Sequence, residues 1–404
     1  MNLGLTSIGS MGPALNASRA HRAEQVANRF QELYGEGCRL FHAPGRINLI
    51  GEHTDYNDGF VMPAAINLSC WVAVAPTDNR AIQVHSFNFQ ESRVFDLDRP
   101  RRLGNWSDYI QGVAIMLERS GYRLPGAKML IWSDVPIGSG LSSSAALEIA
   151  AGLALLDTQP SSCDRARLAL DCQRAENDFV GARCGIMDQF ISSQGKAGHA
   201  LMLDCRSLQP RFIPFPEDLC LVICNSLVKH DIAAGEYNRR RAECEEGVRL
   251  VSAQIPNLVS LRNLSLSDLE RFRELLPATI YKRCQHVVTE NQRVVGAAAA
   301  LEQNQLQQLG ELMAESHRSL RDQYEVSCPE LDLLVEVAGQ TEGVHGARMT
   351  GGGFGGCTIN VVSRRTAAQV AETIARKYKA QTGVAPETYI SSASQGAERW
   401  ESPA

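Results

Sequence analysis

V-P-I-G-S-G-L-S-S-S-A-A-L-E-I-A-A, residues 135–151, is the stretch on which the fold turns. Just ahead of it stands the apolar run Met129-Leu130-Ile131-Trp132, a strand pattern. Residues 145–156 behind it are rich in alanine and leucine, which favour helix. The stretch is therefore a loop from strand to helix. Gly138 and Gly140 let the backbone turn with positive φ and approach a ligand with no Cβ in the way. Ser142, Ser143 and Ser144 can cap the helix and offer hydroxyls. A helix start also presents unpaired N–H groups and its positive dipole end, which suits a phosphate. An ordinary capped helix after a turn has the same composition, so the stretch alone leaves both readings open. It is not a P-loop, because no lysine follows the glycines.

Working outward, the chain has 404 residues, 44% hydrophobic and 21% charged, the composition of an ordinary globular protein with two or three domains. A net charge of -5 argues against nucleic acid or an anionic membrane as the main partner, while leaving room for a local basic site that holds a small anion. No apolar run is long enough to span a bilayer. Residues 1–20 lack the charged start and apolar core of a signal peptide, so a cytoplasmic location is expected. The same residues are small and polar, a loose leader, with order expected to begin near His21. The twelve cysteines are scattered and form no C-x-x-C. They read as reduced core thiols, Cys220 and Cys224 within one apolar strand among them, and no second Cys or His cluster supports zinc.

A helical spacing of Ala23, Val26, Ala27, Phe30 and Leu33 predicts a helix over 22–34, stopped by Gly35 and Gly37. Next comes F-H-A-P-G-R-I-N-L-I-G-E-H-T-D-Y-N-D-G, residues 41–59, the most unusual segment of the chain. Glu52, His53, Asp55 and Asp58 are possible metal ligands, but an EF-hand fails, since Gly59 and Ile66 fall at its fifth and twelfth positions. A solvated turn around Asn57-Asp58-Gly59 is a second reading. The third is a polyol site, with carboxylates and imidazole meeting a ring of hydroxyls and Arg46 supplying a cation for phosphate.

Strands are expected over 61–74, a hairpin over 81–95, and a helix over 103–117 that places Trp106 and Tyr109 one turn apart, where a flat base could rest on one of them. A second helix over 165–179 carries Glu176 near its end. Residues 181–190, G-A-R-C-G-I-M-D-Q-F, set Asp188 among apolar neighbours, either as a helix N-cap or as a functional carboxylate. Short strands with prolines over 201–216 mark a domain boundary between 208 and 209. Beyond it lie a strand over 219–225 and a charged helix over 229–249 with Tyr237. Residues 265–340 are mostly helical, and Pro329 is a first-turn residue. The last glycine stretch, G-A-R-M-T-G-G-G-F-G-G at 346–356, holds Phe354 and is no simple linker, because a backbone that must pass close to something fits it better.

Together these stretches resemble the GHMP kinase superfamily, and G-R-I-N-L-I-G-E-H-T-D-Y at 45–56 is similar to the galactokinase signature specifically. P-I-G-S-G-L-S-S-S-A-A at 136–146 is specific to the superfamily, while G-G-G-F-G-G at 351–356 is weak alone. The order of the three matches the family, and the resemblance runs from about Arg22 to the last strands. It implies an α+β chain of two domains, an N-terminal ribosomal-protein-S5-like domain (21–208) and a C-terminal ferredoxin-like α/β domain (209–404), with the active site between them. The activity it implies is transfer of the γ-phosphoryl of ATP to the anomeric hydroxyl of α-D-galactose, with Mg²⁺. Arg46, Glu52, His53, Asp55, Gly185, Asp188 and Tyr237 would line the sugar site, and Asp188 with Arg46 would be catalytic. Gly138, Ser139, Gly140, Leu141, Ser142, Ser143 and Ser144 would hold the ATP phosphates, Ser144 and Glu176 would sit near the metal, and Trp106 would contact adenine. The third glycine stretch would close the site. Kinases of this architecture for N-acetylgalactosamine, galacturonate or arabinose, and a catalytically silent sugar sensor, are the alternatives. Ser143-Ser144-Ala145 together with Arg46 and Asp188 speaks for activity.

Overall fold

A computed structural model describes residues 11–158, 163–229 and 233–401. In chain order the elements are helix α1 (Met11–Tyr34), strands β1 (Arg39–Asn48), β2 (Phe60–Val61), β3 (Pro63–Thr77), β4 (Ala81–Ser86) and β5 (Glu91–Asp96), helix α2 (Ser107–Arg119), strand β6 (Gly126–Ser133), and helices α3 (Ser143–Leu156), α4 (Arg165–Arg174) and α5 (Met187–Gln194). Strands β7 (His199–Asp204), β8 (Gln209–Pro214) and β9 (Leu219–Lys229) follow, then helices α6 (Ala233–Ser252), α7 (Leu266–Arg271), α8 (Ala278–Glu302), α9 (Leu306–Ser319) and α10 (Pro329–Gly339). Strands β10 (Val344–Thr350) and β11 (Gly355–Ser363), helix α11 (Ala367–Thr382), and strands β12 (Glu387–Ser391) and β13 (Glu398–Trp400) complete the chain.

The first half is built on a sheet of order β13-β1-β3-β6-β4-β5. Strand β3 is central, and its alternation sorts two cores: Trp71, Ala73 and Ala75 pack with Ala23, Val26 and Phe30 of α1, while Cys70, Val72 and Val74 join the main core. Burying a side chain such as Phe30 contributes roughly 2 kcal/mol. Helix α3 is buried on nearly every face, which is why its sequence is apolar all round, and it packs on β1 and β3. In the second half β9, β10, β11 and β12 form an antiparallel sheet of order β10-β11-β9-β12. Numbered within that sheet, the order is 4-1-3-2 read backwards, a ferredoxin-like arrangement with α6 to α10 inserted after its first strand. The last strand, β13, returns to pair with β1, Leu40 opposite Trp400.

Several expected boundaries differ. Helix α1 begins at Met11, well before His21, so the leader expected over 1–20 is helical from residue 11, and residues 1–10 lie outside the described residues. Long-range bonds hold this early helix: Arg19 donates to Ser394 Oγ (2.8 Å) and Arg22 pairs with Asp134. The expected boundary at 208/209 falls in the turn between β7 and β8, which pair with each other in a small sheet with β2. Helix α2 starts at Ser107, leaving Trp106 at its N-cap position, because Asp108 turns back to accept from the N–H groups of Leu103 (2.8 Å) and Gly104 (2.6 Å). The helix expected over 165–179 is α4 followed by a π-helical turn, Ala175–Val180. Strand β9 runs on to Lys229, where a helix was expected to open. Pro329 does occupy the first turn of α10.

Candidate active site

Arg46 lies near the end of β1, just past a register shift between Pro44 and Arg46. A Cβ on Gly45 would lie 2.7 Å from the Leu141 carbonyl, so glycine is what lets β1 reach the serine loop, and Arg46 N–H donates to that same carbonyl (3.1 Å). The Arg46 side chain then forks onto Asp188, Nε to Oδ1 at 2.8 Å and Nη2 to Oδ2 at 2.6 Å, while Nη1 donates to the Gly140 carbonyl (2.5 Å). Asp188 is in the first turn of α5, whose N-cap is Ile186, so it is not the capping residue. It also accepts from Ser142 Oγ. Ser142 stands at the N-cap position of α3 with φ 61° and makes no side-chain cap, which leaves the first N–H groups of α3 for an anion.

The two glycine stretches meet backbone to backbone. A Cβ on Gly351 would lie 2.8 Å from the Gly140 carbonyl and one on Gly356 would lie 2.6 Å from the Ser139 carbonyl. This is the close approach that the third glycine stretch implied, and its target is the serine loop. Ser139 and Leu141 send no side chain into the cleft: the Ser139 hydroxyl donates to Pro136 O (2.8 Å), and Leu141 is fully buried in the main core. Their part in an anion site is confined to backbone.

On the other side of Arg46 the cleft is lined by Glu52, His53, Asp55, Gly185 and Tyr237. Glu52 is held in place on both oxygens, by Asn48 Nδ2 (2.8 Å) and by Gly351 N–H (2.7 Å), with Arg348 at 3.7 Å. His53 is buried at φ 63°, its Nδ1 bonded to Tyr56 OH (2.7 Å) and its ring beside the Gly352 backbone. Burial, with His286 nearby, pushes its pKa down to about 3, so it is neutral. Burial and the neighbouring Asp188 push Asp55 up to about 7, an effect tempered by the part of its surface that opens to the cleft. Asp58 points away, facing Arg206 at 3.6 Å, so the four acidic and imidazole groups of 52–58 do not converge on one point as metal ligands would.

Glu176 sits on the π-helical turn, a device common at functional sites. Ser144 lies beside its carboxylate, and Gln189 Nε2 bridges Glu176 Oε2 (2.7 Å) to Glu148 Oε2 (3.0 Å). Burial pushes both glutamates up, helped by Glu176 beside Glu148 and by Asp188 beside Glu176. A side pocket leads on from Gly138, Ser143 and Ser144, walled by Phe89, Trp106, Tyr109, Ile137 and Leu147. Trp106 lies near parallel to Phe89 there (6.0 Å, 25°).

Known proteins fit this geometry. Residues 28–76 match the galactokinase galactose-binding signature, 108–196 the GHMP kinase N-terminal domain and 297–380 the GHMP kinase C-terminal domain. A galactokinase of Roseiflexus sp. (strain RS-1) is 43% identical over 93% of this chain and 96% of its own length, and one of Chloroflexus aggregans is 45% identical over 91% and 95%. The chain belongs to the galactokinase family. Lactococcus lactis galactokinase, solved in complex with galactose, superposes with a TM-score of 0.90 at 35% identity, covering 93% of this chain and 99% of that one. Mevalonate kinases at 17–18% identity share the fold alone.

Within this galactokinase-family cleft, Arg46, Glu52, His53, Asp55, Gly138, Gly140, Ser142, Ser143, Ser144, Glu176, Gly185, Asp188 and Tyr237 come together, and Trp106 lies in the adjoining pocket. Sequence reasoning missed Glu148, Gln189, Phe89 and Asn238. A glutamate inside an otherwise apolar helix was the available signal for Glu148. Phe89 offered none, being an exposed turn residue whose partner in the fold is Trp106.

Proposed function

We propose that the cleft transfers the γ-phosphoryl group of ATP to the anomeric hydroxyl of α-D-galactose, releasing ADP and galactose 1-phosphate. What supports the reading is the bidentate Arg46–Asp188 pair, seated between the open start of α3 and the sugar-side groups Glu52, His53, Asp55 and Tyr237. In it, the α3 N–H groups and the glycine backbone receive the phosphates, and the apolar side pocket beside Trp106 and Phe89 receives adenine. The sugar oxygen attacks the γ-phosphorus as the bridging P–O bond to ADP breaks, and the hydroxyl proton passes to Asp188. Arg46 keeps Asp188 oriented and offsets charge on the transferring group.

Mg²⁺ suits the donors present. Ser144 and Glu176 are hard oxygen ligands beside an excess of carboxylates. Among the described residues no three His, Cys, Asp or Glu side chains form a metal cage. Bound there, Mg²⁺ would neutralise phosphate charge. Ser144→Ala should raise the Mg²⁺ concentration for half-maximal rate roughly tenfold with an unchanged galactose KM. Weaker Mn²⁺ binding, followed by electron paramagnetic resonance, should accompany it, and unaltered Mn²⁺ binding would refute the assignment. We place the enzyme in the cytoplasm, where ATP is abundant and its twelve free cysteines stay reduced.

The deciding experiment couples ADP release to a panel of sugars. Turnover should be fastest with galactose; a folded enzyme turning over N-acetylgalactosamine, galacturonate or arabinose in its place, or no sugar at all, would overturn the reading.

A further inference from the structure

Residues 51–59 carry three of the sugar-side groups, yet none of them lies in a strand. Their backbone is unusual: Gly51 has φ 102°, His53 has φ 63° and Asp58 has φ 58°. Left-handed residues other than glycine persist only where surrounding structure over-determines them. The surrounding structure here is one face of α8.

His286, Glu290 and Val294 follow at i, i+4 and i+8 on that face. His286 Nε2 is bonded to the Glu52 carbonyl at 3.1 Å. Glu290 Oε1 accepts from Gly51 N–H at 2.9 Å. A Cβ on Gly51 would lie 2.8 Å from Val294 Cγ2, so the loop lies directly on the helix. Asn291, next to Glu290, accepts from Phe60 N–H (2.8 Å) and closes the far end of the segment. None of these groups lines the cleft.

We propose that His286 and Glu290 are positioning residues that set galactose affinity by clamping the backbone on either side of Glu52. The inference rests on the galactokinase reading of the cleft. Each clamp is itself braced. Glu290 Oε1 also accepts from Ser316 Oγ (2.6 Å), and Oε2 accepts from Arg293 Nε (2.7 Å). Burial opposes the charge on Glu290, but Arg293 and Arg348, with the hydrogen bond from Ser316, outweigh it and hold its pKa down at about 2, so the carboxylate is an anion when it grips Gly51. Burial pushes His286 down to about 4, so its ring is neutral and carries one proton. That proton belongs on Nε2, since Nε2 faces a carbonyl, and Nδ1 lies 2.8 Å from Ser319 Oγ on the other side of the ring. The His286 ring also packs, tilted, against Tyr324 (4.5 Å, 40°), which packs in turn against His53 (4.8 Å, 38°), so the same helix backs the imidazole of the sugar loop.

Two substitution pairs test the clamp. Glu290→Ala removes the acceptor of Gly51, and Glu290→Gln keeps an oxygen in its place. His286→Asn withdraws the Nε2 donor, and His286→Gln returns an N–H at similar reach. The galactose KM of the Ala and Asn variants should rise roughly tenfold or more, with the KM for ATP within about twofold of the parent, and the Gln variants should recover most of the loss. A general loss of structure would move both KM values together and would not be rescued by glutamine, and that result overturns the proposal. A folded His286→Asn enzyme with parental galactose KM overturns it too, even should Glu290→Ala fail to fold. Parental enzyme that turns over galactose beside unaffected variants sinks the clamp alone; parental enzyme inert towards galactose sinks the reading on which it rests.

Discussion

Replacing Asp188 by Asn is expected to lower kcat by roughly two to four orders of magnitude while the KM for ATP stays within about threefold. The substitution keeps shape and removes charge. Asp188 now accepts three hydrogen bonds, two from Arg46 and one from Ser142, and an amide can accept at only one of its two atoms. One NH₂ donor must then face the Arg46 guanidinium or the Ser142 hydroxyl, and the sugar hydroxyl loses the anion that receives its proton. The ATP phosphates touch neither oxygen in this scheme, which is why nucleotide binding is spared. Arg46→Ala should share the kcat loss, and the double substitution should cost little more than either single one, because the two side chains act as a unit. Rapid-mix kinetics with saturating galactose and ATP measures the effect. A variant Asp188→Asn with kcat within about threefold of the parent would place the catalytic role elsewhere.

The same pair shows where the sequence was informative and where it stopped. Two glycine-rich stretches pointed to a backbone that approaches something closely, and the serine loop left open a helix start suited to an anion. That Gly351 and Gly356 approach Gly140 and Ser139 themselves depends on two segments some two hundred residues apart, and no local pattern encodes it. Arg46 and Asp188 were singled out by residue type and by family resemblance, but the fork between them is a property of how β1 and α5 are packed. Periodicity misjudged the Glu176 helix because a π turn departs from the 3.6-residue repeat. It missed the early start of α1 because Arg19 of that segment is fastened to Ser394, far along the chain. Residues 265–340 were legible as mostly helical, but the meaning of His286 and Glu290 on α8 was not, since both are common helix-face residues until the 51–60 segment is laid against them.

Gly185→Ala should cost about a hundredfold in kcat/KM for galactose, with little effect on the KM for ATP. The backbone of Gly185 is not in the left-handed region, so alanine is not strained by its own conformation. The obstacle is Asp55: a Cβ on residue 185 would lie 1.9 Å from Asp55 Oδ2 and 2.1 Å from its Cγ. The carboxylate of Asp55 stands beside the backbone of Tyr56 and Met187, which favours it where it is. Either that carboxylate leaves the sugar side of the cleft or the start of α5 shifts, carrying Asp188 with it. The steric account makes a stronger demand than the loss itself. On an Asp55→Ala background the offending atoms are gone, so adding Gly185→Ala should change kcat/KM for galactose by less than about threefold. Full additivity of the two losses would show that the methyl group acts by some route other than its collision with Asp55.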